Sequence, residues 1–182
     1  MHNAIGLVEL SSMVKGYEVT DIMLKTSNVE LLMARTICPG KYIVLVAGDV
    51  ADVQASVEAG KDLSGESLVD QMVIPNVHPG VFPAITGSVV ADKLEALGLI
   101  ETFSVASLIE AADAAAKTSD VKILEIRLAM AMGGKAYVSL TGTVAAVQAA
   151  VNAGSESVIQ KGLLVQRVVI PQPRPELLRE MI

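Results

Sequence analysis

Residues 44–60 read VLVAGDVADVQASVEAG, and residues 138–154 read VSLTGTVAAVQAAVNAG. Each stretch opens with the β-branched and apolar residues that are typical of a buried strand. A glycine then precedes valines at helical spacing, which predicts a helix with one buried face. Asp49 is the predicted N-cap of the first of these helices. The two predicted valine stripes are Val50, Val53 and Val57 in the first copy, and Val144, Val147 and Val151 in the second.

Further blocks of the chain also occur twice. The matching blocks are AIGLVE at 4–9 and ALGLIE at 96–101, KTSNV at 25–29 and KTSDV at 117–121, and VIP at 73–75 and 169–171. Their order is the same in both halves, and two copies are too few for a solenoid. We therefore predict two tandem domains of one fold, residues 1–90 and 91–182, joined by the Pro- and Gly-rich segment that begins at His78.

Each copy reads as strand, helix, strand, strand, helix, strand. In the first copy the predicted strands are 5–10, 30–37, 42–46 and 68–74, and the first predicted helix is 17–25. This order is typical of an α+β, ferredoxin-like fold, in which two helices pack on one face of an antiparallel sheet. Pro75 is expected to end the last strand because proline cannot extend a hydrogen-bond ladder. A short helix is predicted over residues 176–181.

The composition argues against several classes of function. The 182 residues are 52% hydrophobic, which is enough for packed cores. The net charge of −6 and the lack of a Lys/Arg cluster argue against a nucleic-acid partner. The first residues lack the features of a signal peptide and no apolar run has membrane-spanning length, so we expect a cytoplasmic protein with no membrane partner. The single cysteine, Cys38, excludes an intrachain disulfide.

No arrangement of residues in the sequence predicts catalysis. His2 is terminal and His78 lies in a Pro-rich turn, so neither is placed to activate a nucleophile. Glu9 and Glu101 recur at the ends of matching strands, and we interpret both as structural. The GGK segment at 133–135 lacks the earlier glycine and the Ser/Thr of a phosphate-binding loop. We therefore expect a protein that is not an enzyme.

These blocks resemble the bacterial microcompartment domain family. Sequences of that family typically begin with an Ala-Ile-Gly-hydrophobic-hydrophobic-Glu strand, carry Asp-x-x-hydrophobic-Lys-x-x-x-Val at a helix end, and continue through Gly-Asp-Val. The corresponding residues here are 4–9, 21–29 and 48–50. The resemblance implies a flat plate, because tandem members form homotrimers that mimic a hexamer (pseudohexamers). The two copies here run in the unpermuted order.

The TICPGK segment at 36–41 is similar to the pore segment of trimeric iron–sulfur shell proteins of propanediol-utilisation microcompartments. This resemblance implies that Cys38 lies at the trimer axis, where three thiolates bind a [4Fe–4S] cluster and leave the fourth iron to a non-protein ligand. Ile37, Pro39 and Gly40 then surround the cluster, and the loop lets backbone amides approach the sulfur. The alternative is a free cysteine packed as a small hydrophobe, which its position before Pro-Gly disfavours.

The matching loop of the second copy, LAMAMGGK at 128–135, has no cysteine. The resemblance implies that it alternates with the cysteine loop around the axis and forms an apolar collar that limits water near the cluster. The residues of this predicted surround are Met130, Ala131, Met132, Gly133 and Gly134. The alternative is that Met130 and Met132 fill gaps in the core.

Lys25 and Lys117 end matching helices. The resemblance makes them edge lysines that set the tiling of neighbouring shell proteins in a two-dimensional layer. A cation at this position also complements the helix dipole. The family commonly follows its last strand with Pro-Arg-Pro-His, whereas this chain has Asn76 and Gln172 at the arginine position. These two edge residues therefore reproduce only part of the hydrogen bonding that the resemblance implies.

The sequence leaves three functions open. The leading hypothesis is a structural shell protein whose trimer axis holds the cluster, either for electron transfer across the shell or for cluster supply to an enclosed redox enzyme. The second is a trimeric shell protein with an open metabolite pore, in which Cys38 is a free thiol. The third is a soluble regulatory protein that binds a small molecule, because ferredoxin-like folds host many functions.

Overall fold

A computed structural model of the chain describes residues 4–87, 89, 94–174, 176 and 177. The first half contains β1 (Ala4–Leu10), α1 (Met13–Thr26), β2 (Glu30–Ile37), β3 (Lys41–Gly48), α2 (Val50–Ser64), a 3₁₀ turn (Gly65–Ser67) and β4 (Leu68–Pro75). The second half contains α3 (Val81–Thr86), β5 (Ala96–Thr102), α4 (Val105–Thr118), β6 (Lys122–Arg127), β7 (Ala136–Gly142), α5 (Val144–Gln160) and β8 (Leu164–Pro171). The predicted boundary at 90/91, His2 and most of the predicted helix 176–181 lie outside the described residues.

Each half of the chain forms a four-stranded antiparallel sheet. The strand order is β2-β3-β1-β4 in the first sheet and β6-β7-β5-β8 in the second. Both sheets contain a register shift at the same position. The register of β1 against β4 shifts after Glu9, and the register of β5 against β8 shifts after Glu101. The predicted α+β arrangement of two tandem domains is confirmed. None of the described helices is long and apolar enough to cross a bilayer.

The described residues divide into two compact units that do not coincide with the two halves of the sequence. The first unit contains residues 4–77, Ser104–Ser107 and Ala129–Lys135. The second contains the described parts of 78–103, 108–128 and 136–177. Two short segments of the second sequence copy are therefore parts of the first unit.

A glycine in the first strand of each sheet lets a helix approach closely. A Cβ at Gly6 would lie 2.7 Å from Cγ1 of Val53 in α2. A Cβ at Gly98 would lie 2.8 Å from side-chain atoms of Val147 and Val151 in α5. Because real Cβ atoms do not approach other atoms this closely, the valine stripe and the strand glycine depend on each other.

Two predicted boundaries are wrong by a few residues. Helix α1 begins at Met13 rather than at residue 17, because the Ser12 hydroxyl accepts a hydrogen bond from the backbone N–H of Lys15 at 3.3 Å and caps the helix earlier. Strand β4 includes Pro75, which pairs with Ala4 at the last position of the ladder. A missing N–H is tolerated at that end of the strand, so the expected stop falls one residue later.

Two details of the predicted valine helices also differ. Val144 is exposed rather than buried, because it is the first residue of α5 and the buried stripe begins one turn later, at Val147. Asp49 is the N-cap of α2, as predicted, but its side chain makes no capping hydrogen bond with the described residues. The cap therefore depends on its extended backbone, with φ −73° and ψ 151°.

Gly60 and Gly154 provide a matched test of helix packing. A Cβ at Gly154 in α5 would lie 2.5 Å from the carbonyl oxygen of Ala111 in α4. A Cβ at Gly60 in α2 would lie 2.8 Å from the Cγ and Sδ atoms of Met23 in α1. A backbone carbonyl in a helix is fixed, whereas a methionine side chain adapts its conformation.

We expect Gly154→Ala to lower the free energy of unfolding by about 1–3 kcal/mol, since the helices must separate. Gly60→Ala should change it by less than about 1 kcal/mol, because the higher helix propensity of alanine offsets the local crowding. Urea unfolding of both variants at the same chain concentration measures the difference. Equal losses in the two variants would contradict this account of the helix contacts.

Candidate metal centre

Cys38 lies in the tight connection between β2 and β3. The buried Ile37 ends β2, and the Gly40 amide donates a hydrogen bond to the Ile37 carbonyl oxygen at 3.0 Å. Gly40 has φ +92°, a conformation that glycine adopts without strain, and the Cys38–Pro39 peptide bond is cis. Cys38 is half-buried, whereas Pro39 and Gly40 are exposed. The thiol therefore lies on a hairpin turn at the border between the core and solvent.

The predicted loop at 128–135 is the counterpart of the cysteine turn in the second sequence copy. Its residues Ala129–Lys135 belong to the first unit and pack against this turn. The Cys38 amide donates a hydrogen bond to the carbonyl oxygen of Ala129 at 3.2 Å. A Cβ at Gly134 would lie 2.7 Å from Cδ of Pro39 and 3.2 Å from the Cys38 carbonyl oxygen. Gly134 is therefore required for this approach, and its φ of +85° also favours glycine. The structure thus brings Cys38, Pro39, Ala129 and Gly134 together.

The loop is strained at two alanines. Ala129 and Ala131 have φ values of +54° and +59°, in the left-handed region that disfavours residues with a Cβ. Each costs roughly 1–2 kcal/mol, which the surrounding structure must offset. Gly133, with φ +61°, adopts the same region without this cost. The backbone path through residues 129–134 is therefore held by its contacts rather than by local preference.

Two backbone amides of the cysteine turn have carbonyl acceptors in the single chain. The Cys38 amide donates to the Ala129 carbonyl oxygen, and the Gly40 amide donates to the Ile37 carbonyl oxygen. Pro39 has no amide hydrogen. That backbone amides approach the sulfur of a bound cluster stays a prediction.

The methionines of the second loop differ in exposure. Met130 is 49% exposed, so the alternative that it fills a gap in the core is wrong. Met132 is half-buried, and Ala131 and Gly133 are exposed. The apolar collar needs further copies of the chain and stays a prediction.

The described residues of one chain hold a single thiol at this place. No group of three or more His, Cys, Asp or Glu side chains that could hold a metal ion occurs among them. Cys38 is a free cysteine. Iron–sulfur clusters are held by several thiolates, so one Cys38 fits such a cluster only as a share of a site that several chains build.

A polar cluster on β6 and β7, within the second unit, was not predicted from the sequence. The Tyr137 hydroxyl donates to Glu125 Oε2 at 2.5 Å, and Arg127 Nη2 donates to Glu125 Oε1 at 2.7 Å. The guanidinium carbon of Arg127 lies 5.5 Å from the centre of the Tyr137 ring. Burial and then the Glu125 hydrogen bond raise the pKa of Tyr137 to about 12, so its hydroxyl stays a donor at neutral pH. These contacts fix the ends of β6 and β7, between which the loop runs.

Glu9 is a buried structural carboxylate, as predicted. Its Oε1 forms an ion pair with Lys41 Nζ at 2.9 Å. Its Oε2 accepts hydrogen bonds from the backbone N–H of Val105 at 2.7 Å and from the Ser104 hydroxyl at 3.1 Å. The fully buried charge is thus paired and hydrogen-bonded, which is the condition for burying a carboxylate. Glu101, its counterpart in the second copy, is half-buried.

The predicted edge residues occupy matching positions in the two units. Lys25 pairs with Asp21 at 2.5 Å and Lys117 pairs with Asp113 at 2.6 Å, each one helical turn apart. The residues that follow the last strands, Asn76 and Gln172, have φ values of +53° and +47°. Their place at a tiling edge needs neighbouring plates and stays a prediction.

The sequence matches one protein family twice. The BMC domain matches residues 4–77 and 96–173. Over 182 residues, the chain is 47% identical to the bacterial microcompartment shell protein PduT of Citrobacter freundii, covering 100% of this chain and 99% of that one. It is also 31% identical over 187 residues to the carboxysome assembly protein CcmO of Synechocystis sp., covering 93% of this chain and 61% of CcmO.

Two solved structures are similar to the chain. A microcompartment protein from Desulfitobacterium hafniense DCB is 52% identical and superposes with a TM-score of 0.85 over 97% of this chain and 98% of that one. The fused permuted hexameric shell protein MSM0275 of the RMM microcompartment has a TM-score of 0.65 over 86% of this chain and 81% of its own. At 20% identity, that second likeness shows the fold alone.

Proposed function

The chain belongs to the BMC domain family of bacterial microcompartment shell proteins, with two domains in tandem, and from this premise we propose that it forms a homotrimeric, pseudohexameric plate whose axis binds a [4Fe–4S] cluster. Its family role is structural, and its place in the cell is the microcompartment shell, where shell proteins assemble into layers. Catalysis has no support from the family, and the absence of an enzymatic activity stays a prediction.

The position of Cys38 is the observation that carries the cluster proposal. The thiol lies on a half-buried turn rather than in the core, and the second loop packs against that turn through Ala129 and Gly134. In a trimer with its axis at this turn, three Cys38 thiolates bind three irons, and a non-protein ligand binds the fourth. The half-exposed Met130 then covers the site and lowers its exposure to water.

A bound [4Fe–4S] cluster supplies one-electron transfer. In this chain Cys38 holds the cluster and the packed 129–134 loop keeps the turn in place. Two uses are compatible with this arrangement: electron transfer across the shell, and supply of a cluster to an enclosed redox enzyme. The resemblance of the 36–41 segment to the pore segment of propanediol-utilisation shell proteins favours a microcompartment of that kind.

Anaerobic reconstitution of the full chain with ferrous iron and sulfide tests the proposal. We expect a trimer by light scattering, the visible absorbance of an iron–sulfur cluster, and about four irons for every three chains. A trimer that stays free of iron after reconstitution would instead support the open pore with a free Cys38 thiol. A chain that forms no trimer and changes its assembly on binding a small molecule would support the regulatory alternative.

A further inference from the structure

Residues 129–134 contact the cysteine turn at both of their ends. The carbonyl oxygen of Ala129, a fully buried residue, accepts the hydrogen bond from the Cys38 amide at 3.2 Å. Gly134 is also buried, and a Cβ there would lie 2.7 Å from Cδ of Pro39. The segment is therefore anchored to the turn through two buried residues.

The middle of this segment is exposed and its backbone is strained. Met130, Ala131 and Gly133 are all exposed. Ala129 and Ala131 have φ values of +54° and +59°, which disfavour a residue with a Cβ. The contacts at the two ends therefore maintain a backbone path that both alanines oppose.

The closed segment depends on a balance of opposing contributions. A backbone hydrogen bond and the packing of Gly134 on Pro39 favour it, and the net contribution of such a hydrogen bond to stability is modest. The left-handed conformations of Ala129 and Ala131 act against it. A segment with this balance opens locally while the rest of the protein stays folded.

We propose that residues 129–134 form a latch on the cysteine turn, and that opening of this latch controls release of the cluster from Cys38. The proposal rests on the cluster of the proposed function and adds how the chain gives it up. In the closed latch, Ala129 and Gly134 hold the turn in place. In the open latch both contacts are broken, and a thiol from solution reaches the turn.

Release by this route is a ligand exchange without electron transfer. A thiolate of a small dithiol or of an acceptor protein forms a bond to an iron, and the bond from that iron to Cys38 Sγ breaks. The Cys38 thiolate then takes up the proton that the incoming thiol lost. The oxidation states of iron and sulfur do not change, so no oxidant or reductant is needed. A latch of this kind favours cluster supply over electron transfer across the shell.

The reaction of Cys38 with N-ethylmaleimide measures opening of the latch. Cys38 is the only cysteine of the chain, so every modified thiol comes from this turn. When opening and closing are fast relative to alkylation, the rate follows the population of the open form. The measurement uses the metal-free full chain at one fixed concentration and needs no cluster.

Two substitutions at the exposed tip test the contribution of strain. Ala131→Gly removes the Cβ from a left-handed residue and should slow alkylation about threefold to tenfold. Gly133→Ala adds a Cβ at φ +61° and should speed alkylation by a similar factor, although this Cβ would meet no atom within 4 Å. The double variant should react at about the wild-type rate, because the two changes in strain offset each other.

A third substitution tests the anchor, and a fourth provides the matched control. Gly134→Ala places a Cβ against Pro39 and should speed alkylation by more than Gly133→Ala does. Gly65→Ala is the control, because Gly65 has φ +52° and open space around its Cβ but lies in the first unit outside the latch. It has the same backbone cost and should leave the alkylation rate unchanged. Circular dichroism verifies that each variant folds.

The reconstituted chain should show the same order of rates. Loss of the cluster absorbance in excess dithiothreitol should be fastest for Gly134→Ala and slowest for Ala131→Gly.

The outcomes separate the latch from the proposed function. Equal alkylation rates in all variants, or a Gly65→Ala chain that reacts as fast as Gly133→Ala, would overturn the latch and leave the cluster intact. Alkylation in the expected order with equal rates of cluster loss would overturn its control of release. A chain that binds no iron but alkylates in the expected order would overturn the proposed function and support only the control of access to Cys38.

Discussion

Glu9→Gln should lower the free energy of unfolding by about 3–5 kcal/mol, because removing one partner of a buried ion pair leaves the other charge uncompensated. The Lys41 ammonium lies 2.9 Å from Glu9 and is itself mostly buried. Glutamine also presents an amide NH₂ to a site where the Lys41 ammonium and the Val105 amide can only donate. At least one donor then loses its acceptor.

Urea unfolding at a fixed chain concentration measures this loss. Glu101→Gln is the matched control, since Glu101 is half-buried at the same position of the second copy and should change the unfolding of the chain by less than about 1 kcal/mol. The double variant Glu9→Gln/Lys41→Met should regain part of the stability, because it removes the orphaned ammonium. A Glu9→Gln chain as stable as the Glu101→Gln chain would show that the buried carboxylate is not needed in its charged form.

The repeat made most of the fold predictable. Strand β2 was predicted at 30–37 and is observed as Glu30–Ile37, because its ends are marked by polar residues before it and by Pro-Gly after it. The valine stripe, seen in both copies, fixed which face of α2 and α5 is buried. Helix ends were less predictable: α1 starts at Met13 because of a serine cap that the apolar pattern does not reveal.

Helix α3, Val81–Thr86, was missed for a different reason. Its segment contains Pro79, Gly80, Pro83 and Gly87, which together indicate a loop. The short helix nevertheless forms and packs on β6, and Gly87 closes it in a left-handed conformation by donating to the Pro83 carbonyl. Proline is tolerated in the first turn of a helix because the amide there needs no helical partner.

Which segments of the chain form the first unit could not be predicted from the sequence. Ser104–Ser107 and Ala129–Lys135 belong to it, although both lie in the second sequence copy. Their contacts with Glu9 and with the Cys38 turn join positions that are far apart along the chain, and periodicity carries no information about such pairs. The sequence indicated a structural role for Glu9, but it did not indicate which groups pair with the carboxylate.

The candidate site was only partly predictable. Cys38 was found because a lone cysteine before Pro-Gly is poorly placed for a core. The Tyr137, Glu125 and Arg127 cluster was missed because it depends on the register of β6 against β7. One signal was present, since Glu125 and Arg127 are two residues apart on a strand and therefore share a face.

Cys38→Ala should abolish iron binding completely while leaving the trimer intact. Each chain supplies one thiolate, so the substitution removes every protein ligand of the proposed cluster at once. Cys38 is half-buried on a turn, and removing its sulfur leaves the backbone bonds of Cys38 and Gly40 in place. Anaerobic reconstitution followed by iron analysis and light scattering measures both quantities.

Mixed trimers determine how many thiols the cluster needs. When equal amounts of wild-type and Cys38→Ala chains are unfolded together and refolded, about one eighth of the trimers contain three cysteines if chains mix at random. If all three thiolates are required, bound iron should fall to about that fraction of the wild-type value, because a [4Fe–4S] cluster that loses a cysteine ligand is poorly held. A decrease to one half would instead mean that each thiol binds iron independently, and the shared cluster at the trimer axis would have to be abandoned.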